Sequence, residues 1–80
     1  MITSSDIRER LRRLPFEPFR ILLSSGQHYD IFHSEFVIVT KRTLEIATPK
    51  TEGDKEPDGT HLVSILHVTA LEVIPAKAKT

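Results

Sequence analysis

The sequence predicts a mainly β domain with one N-terminal helix, and three observations carry this prediction. The stretch from Phe16 to Phe36 holds two runs in which apolar and polar residues alternate, as in half-buried strands. A small polar turn at Ser25-Gly26 joins the runs, and glycine takes the positive φ of a short hairpin loop without a steric penalty. A cluster of helix N-cap residues precedes apolar residues at helical spacing near the N-terminus. We therefore expect a small five-stranded antiparallel barrel, SH3-like or Sm-like, with the helix over an open end.

The composition is that of one small domain. The chain has 80 residues, of which 39% are apolar and 28% are charged, and this fits one hydrophobic core. Cysteine is absent, which excludes a disulfide, a thiolate nucleophile and a zinc-thiolate site and permits a reducing compartment. The sequence shows neither an export signal nor the roughly 20 apolar residues that span a bilayer. We expect a cytoplasmic protein that carries no cofactor.

The N-terminal segment, residues 4–14, is predicted to be a helix. Ser4 or Ser5 is the expected N-cap, because a side-chain oxygen there accepts a hydrogen bond from the first turn. The apolar residues that follow are expected to share one helical face, and they are Ile7, Leu11 and Leu14. Pro15 ends the helix, since proline has no N–H to donate and restricts the residue before it. The stiff link that follows contains Phe16 and Phe19, and we expect these two phenylalanines to anchor the helix to the sheet.

Residues 18–48 are predicted to form four strands as two hairpins. In the second hairpin, the β-branched run Phe36-Val37-Ile38-Val39-Thr40 indicates a strand buried on both faces. Lys41-Arg42 is the expected tight turn. The following strand alternates, so Leu44 and Ile46 are expected to point inward.

The rest of the chain is predicted as a loop, two strands and a tail. Residues 49–60 read PKTEGDKEPDGT, which lacks large apolar residues and indicates an exposed loop. The last two strands are expected within residues 61–75, and residues 76–80 form a solvated tail.

The segment PFEPFRILLSSGQHYDIFHSEF resembles a pattern of small uncharacterised bacterial proteins, planctomycete ones among them: PF-x-PFRI-x-L-x-DG-x-x-Y-x-V-x-HPE. The matching positions are Pro15, Phe16, Pro18, Phe19, Arg20, Ile21, Leu23, Gly26, Tyr29, His33 and Glu35. The later segment ILHVTALE resembles the HV-x-x-IE strand of the same family. The chain departs from the pattern at Ser25 and Ser34, where the family has Asp and Pro. The resemblance implies a small bacterial protein and does not point to any particular activity.

The predicted topology is also similar to that of Sm-like barrels, which include bacterial RNA chaperones. This second resemblance rests on the order of elements and implies binding to RNA. The chain departs from it where Sm-like proteins carry an Ile-Arg-Gly type of RNA-binding segment, since Leu66-His67-Val68-Thr69 stands there.

The densest group of candidate metal ligands lies within eight residues and consists of His28, Asp30, His33 and Glu35. Joint ligation needs a bulge, because His28 and Asp30 share one face of a regular strand while His33 falls on the other. A solvated strand face would carry the same residue types, and this is the simpler interpretation. No serine stands in a glycine-flanked nucleophile elbow and no glycine-rich phosphate loop is present, so we expect a protein that is not an enzyme.

The basic residues concentrate near the N-terminus, although the formal net charge is zero. Five arginines lie within residues 1–20, namely Arg8, Arg10, Arg12, Arg13 and Arg20. They offer a phosphate-binding surface, but charges on the outer face also characterise any amphipathic surface helix. We therefore predict a binding or assembly module that acts by protein–protein interaction or by self-association into a homo-oligomer. The apolar runs from Phe36 to Val39 and from Leu62 to Leu66 are expected to lie near its interface. The alternative is RNA or DNA binding through the five arginines.

Overall fold

The computed structural model describes residues 1–49 and 57–75 of the chain. They form one α-helix and six strands, and the strands make two three-stranded antiparallel sheets. The elements are α1 (Ser4–Leu11), β1 (Phe19–Leu23), β2 (His28–Ile31), β3 (Val37–Val39), β4 (Thr43–Pro49), β5 (Pro57–Ser64) and β6 (Val68–Val73). Sheet A has the order β2-β1-β6, and sheet B has the order β3-β4-β5.

The expected five-stranded barrel, SH3-like or Sm-like, is wrong, although the mainly β class with one N-terminal helix is confirmed. Six strands are present, and no ladder among the described residues joins sheet A to sheet B into a closed barrel. Two short 3-10 turns account for the two separate sheets. One follows β2 at Ser34–Phe36, and the other follows β5 at Ile65–His67. Each turn interrupts the chain where it passes from one sheet to the other, so each sheet keeps two edge strands.

Both sheets and the helix share one hydrophobic core. The central strand of sheet A contributes Phe19 and Ile21, and the central strand of sheet B contributes Leu44 and Ile46. The helix adds one fully buried side chain, Ile7. Alternation along each strand produces this arrangement, because every second side chain points to the same face.

The helix is shorter than predicted and begins with a different cap. Thr3 is the N-cap: its Oγ1 accepts from the Asp6 N–H at 3.2 Å, and the Thr3 N–H donates to the Asp6 carboxylate at 2.9 Å. This reciprocal capping box satisfies two N–H groups that the first turn leaves free. The helix ends at Leu11 because Leu14 precedes a proline, which disfavours helical backbone angles. Leu14 was expected on the buried face, yet its side chain is 93% exposed.

Two strand predictions also differ from the structure. The β-branched run after His33 is buried on one face, not two, because β3 has three residues and Ile38 is 59% exposed. The predicted loop over 49–60 is too long, since β5 begins at Pro57 and residues 57–60 extend the ladder with β4. Its remainder, residues 50–56, and the predicted tail, residues 76–80, lie outside the described residues.

The turn between β1 and β2 sets the register of the first hairpin. The Leu23 N–H donates to the Gln27 carbonyl at 2.9 Å, and the Gly26 N–H donates to the Leu23 carbonyl at 3.0 Å. Gly26 has a φ of 95°, a left-handed conformation that side chains with a Cβ rarely adopt. This is the three-residue hairpin loop whose last residue forms a glycine bulge.

We expect Gly26→Ala to lower the free energy of unfolding by about 1–2 kcal/mol, because a left-handed conformation costs that much with a Cβ. A Cβ at Gly26 would meet nothing within 4 Å, so the cost is conformational and not steric. Gly59→Ala is the matched control, since a Cβ there also meets nothing and no left-handed φ is required. Urea unfolding of both variants measures the difference. Equal midpoints for the two variants would contradict the assigned strain.

Candidate functional site

The histidine and carboxylate group predicted as a metal site is not brought together. Among residues 1–49 and 57–75, no set of three or more His, Cys, Asp or Glu side chains lies close enough to hold an ion. Asp30 instead accepts two hydrogen bonds from Arg20, at 2.7 and 3.2 Å. The His33 ring packs edge-on against Phe36, with 5.2 Å between centroids.

Four of the five N-terminal arginines have partners within the protein, and they are Arg8, Arg10, Arg13 and Arg20. Glu17 pairs with Arg10 at 3.4 Å and with Arg13 at 3.3 Å. Arg8 reaches across to sheet B and donates to the Val39 carbonyl at 3.4 Å. These contacts hold the link after α1 and the edge of β3 in place.

Arg20 belongs to a row of charges across the outer face of sheet A. It stands between Asp30 on β2 and Glu72 on β6 in the strand register. The hydrogen bonds and charge of Asp30 raise the pKa of Arg20, with a smaller contribution from Glu72, while partial desolvation opposes them. Arg20 is therefore a cation whose charge is already matched by carboxylates.

Within the part of the chain that the structure describes, no strand pairs with the outer edge of β5. The Ile65 N–H donates to the Arg42 carbonyl at 2.9 Å, which marks this pair as hydrogen-bonded. Antiparallel pairs alternate between bonded and non-bonded, so Thr43–Ser64 and Glu45–Leu62 are non-bonded pairs. The N–H and C=O groups that therefore point away from β4 belong to Thr60, Leu62 and Ser64.

The edge of β3 is covered by the helix. The Thr40 N–H donates to the Thr43 carbonyl at 2.9 Å, and alternation then turns the Val39 backbone outward. The Val39 carbonyl is the group that accepts from Arg8 of α1. Helix α1 thus protects one edge of sheet B and leaves the other, β5, as the edge without a partner among the described residues.

A groove of about 420 Å³ lies beside β5, between that strand and the turn of the first hairpin. The Tyr29 and His61 rings meet across the gap between the two sheets, with 5.3 Å between centroids. The described residues that line it include no Lys, Arg, Asp or Glu, and they are Leu23, Ser24, Ser25, Gln27, Tyr29, Leu62, Val63, Ser64 and His67. Apolar walls with a few neutral polar groups are typical of sites that bind uncharged ligands or peptides.

Exposed leucines border this groove. Leu62 is 74% exposed and Leu66, on the 3-10 turn after β5, is 76% exposed. The sequence interpretation placed Leu62 and Leu66 near an interface, and the structure leaves both accessible. It placed the run from Phe36 to Val39 there as well, but Phe36 and Val37 are buried and Ile38 is the exposed member.

Sequence reasoning missed the polar wall of the groove, which comes from Ser24, Gln27 and Tyr29. A hairpin turn and a strand more than thirty residues later meet there, and local periodicity carries no information about such a contact. One signal was present in the sequence. Residues 59–66 read GTHLVSIL and contain no Lys, Arg, Asp or Glu, which is unusual for an edge strand.

Comparison with protein-family models, with curated proteins and with solved structures finds no match to this chain. The resemblance to the planctomycete-type pattern stays a prediction, whereas the Sm-like resemblance rested on the five-stranded barrel that the two separate sheets contradict. In residues 1–49 and 57–75, no helix has the length and apolar character needed to cross a bilayer. The geometry of β5 and its groove is therefore the basis for a functional assignment.

Proposed function

We propose that this protein is a non-enzymatic interaction module of the cytoplasm, which binds an extended segment of a partner protein along the β5 edge. The observation that carries the proposal is that, in residues 1–49 and 57–75, no strand pairs with the outer edge of β5 and no charged side chain lines the groove beside it. A strand added to such an edge gains main-chain hydrogen bonds, and pockets beside the edge select its side chains.

The backbone of β5 supplies the hydrogen bonds. Thr60, Leu62 and Ser64 each present an N–H and a C=O to an incoming strand, as the alternation along the β4–β5 ladder requires. A polypeptide in the extended conformation has the same spacing of donors and acceptors, so it matches the edge residue by residue.

The side chains beside β5 favour an uncharged segment. An added strand places alternate side chains toward the groove, where Leu23 and Val63 are apolar and Ser24 and Gln27 offer neutral polar groups. The remaining side chains of the added strand lie beside Leu62 on the outer face of sheet B. A charged ligand residue would lose hydration there without finding an opposite charge, which is costly.

The nucleic-acid alternative is less well supported. Phosphate binding draws on free cationic side chains, and Arg10, Arg13 and Arg20 already pair with carboxylates at 3.7 Å or less. The described residues that line the groove include no Lys or Arg. We therefore place protein binding first.

The test is selection of random peptides from a display library on the immobilised protein, followed by affinity measurement with the individual peptides. We expect the selected peptides to be uncharged over their central residues and to lose affinity by about tenfold or more, or about 1.4 kcal/mol, against Leu62→Lys. Ser64→Pro should act similarly, because it removes an outward N–H. Ser64 has a φ of −75°, which suits proline, so this variant keeps the β5 backbone.

Leu14→Lys is the matched control, since Leu14 is exposed and lies outside the groove. It should bind the selected peptides as the wild type does. Recovery of no peptide by protein that is monomeric at the working concentration, or peptides that bind all three variants equally, would contradict strand addition at β5. Binding of a single-stranded RNA that falls steeply with salt and with Arg12→Ala would instead favour the nucleic-acid alternative.

A further inference from the structure

We infer that the strand added at β5 is the β5 strand of a second copy of this chain, so that two sheets B join into one six-stranded sheet about a two-fold axis at Leu62. This inference rests on the proposed function and names its occupant. Three observations support it: the charges on the other edges, the register of the outward groups on β5, and the distance between the acidic residues of the two copies.

Charge distinguishes β5 from the other edges. Sheet A ends in β2 and β6, which carry Asp30 and Glu72 on their outer faces. On β2 the Asp30 carboxylate is bonded to Arg20, so self-pairing there would desolvate an ion pair. Self-pairing of β6 about its centre would place two Glu72 carboxylates diagonally across the new ladder, about 7–8 Å apart. That separation is within the Debye length of about 8 Å at physiological salt, so the repulsion would persist.

β5 carries one charged residue, Asp58, at its far end, and residues 59–64 bear no charge. In a pair centred on Leu62 the two Asp58 residues lie eight positions apart along the ladder, roughly 27 Å, so their repulsion is screened.

The outward groups of β5 are complementary to themselves. In an antiparallel pair centred on Leu62, Thr60 lies opposite Ser64 of the second copy, and Ser64 lies opposite Thr60 of the second copy. Each of these residues turns both its N–H and its C=O away from β4. The same register therefore satisfies the edges of both copies at once, which is the requirement of a two-fold interface.

The outer face of the joined sheet is apolar at the axis and acidic at a distance from it. Ile38, Glu45 and Leu62 form one row across sheet B. Pairing brings the two exposed Leu62 side chains together, and the two Glu45 residues are then separated by three strand spacings, roughly 14 Å. Their repulsion is screened over that distance, in contrast to that of the Glu72 carboxylates in a self-paired β6.

The first measurement is molar mass by light scattering across a gel-filtration peak. We expect the wild-type protein to show twice the chain mass of 9.1 kDa, and Leu62→Lys and Ser64→Pro to show 9.1 kDa. Leu14→Lys should keep the wild-type mass. Circular dichroism of each variant checks that the fold is kept, and the two variants act through different groups, one through charge and one through the backbone.

The second measurement uses the absence of cysteine from the sequence. In the proposed register the two Leu62 Cα atoms lie about 5.5 Å apart, within the range that a disulfide bridges. Oxidation of Leu62→Cys is therefore expected to give a cross-linked dimer at a rate well above that of Ile38→Cys, an exposed position on the same face at the opposite edge.

The outcomes separate this inference from the proposed function. A wild-type mass of 9.1 kDa at the highest soluble concentration would overturn self-pairing. So would a dimer that persists in both Leu62→Lys and Ser64→Pro, or equal cross-linking of the two cysteine variants. If the protein is monomeric and still binds selected peptides in a Leu62-dependent way, strand addition stands and its occupant is a different protein. If neither occurs, both proposals fail.

Discussion

Phe19→Ala is expected to remove about 3–5 kcal/mol from the free energy of unfolding, the largest effect of any single substitution considered. Phe19 is fully buried in the central strand of sheet A, and its ring meets Phe16 edge-on with 6.2 Å between centroids. Loss of the ring leaves a cavity between the strand and the link from α1. A domain of this length has a net stability of roughly 4–12 kcal/mol, so the variant is expected to be partly unfolded at 37 °C.

Urea unfolding followed by far-ultraviolet circular dichroism measures this effect. Leu14→Ala is the control, since it also shortens a large apolar side chain but at a 93% exposed position, where changes are typically within 0.5 kcal/mol. A Phe19→Ala midpoint as high as that of Leu14→Ala would show that Phe19 does not hold the link to sheet A.

Ile7→Ala is expected to cost about 2–5 kcal/mol and to release α1 from sheet B. Ile7 is the one fully buried residue of an eight-residue helix, and a helix that short is not stable in water without packing. The contact of Arg8 with the Val39 carbonyl would be lost with it, which uncovers the edge of β3. Amide hydrogen exchange should show loss of protection in α1 and at Val39.

Ile7→Val provides a graded comparison, because it removes a single methylene and is expected to cost about 0.5–1.5 kcal/mol. Protection of the α1 amides should follow the order wild type, Ile7→Val, Ile7→Ala. Unchanged exchange in α1 for Ile7→Ala would mean that the capping box of Thr3 and Asp6 and the ion pairs hold the helix without its buried residue.

Edge protection links the fold to the proposed function. Two sheets that do not close into a barrel leave four edges, and among the described residues only the edge of β5 over residues 59–64 has neither a covering contact nor a charged residue. Arg8 covers β3, while Asp30 and Glu72 place charge beside β2 and β6. Natural proteins protect their edges in these ways against unwanted pairing. An edge that lacks such protection and lies beside an apolar groove is therefore the place where pairing is expected.

The sequence predicted the strand faces, the first turn and the helix start because neighbouring residues determine each of these features. Alternation placed Phe19, Ile21, Leu44 and Ile46 in the core, and the isolated glycine placed the first turn. The capping sequence placed the helix start within one residue, with Thr3 as the cap. These features depend on backbone sterics and on the period of two or 3.6, which neighbouring residues determine.

The arrangement of the elements was decided by tertiary contacts. Nothing in the local pattern showed that the chain would break at Ser34–Phe36 and Ile65–His67 and leave two open sheets in place of a barrel. Sequence proximity grouped His28 with His33 as metal ligands, whereas the register paired Asp30 with Arg20. The groove likewise joins the first hairpin turn to β5, segments far apart in the chain. Periodicity determines which side chains face inward, but the pairing of distant strands determines which edges remain open and what lies beside them.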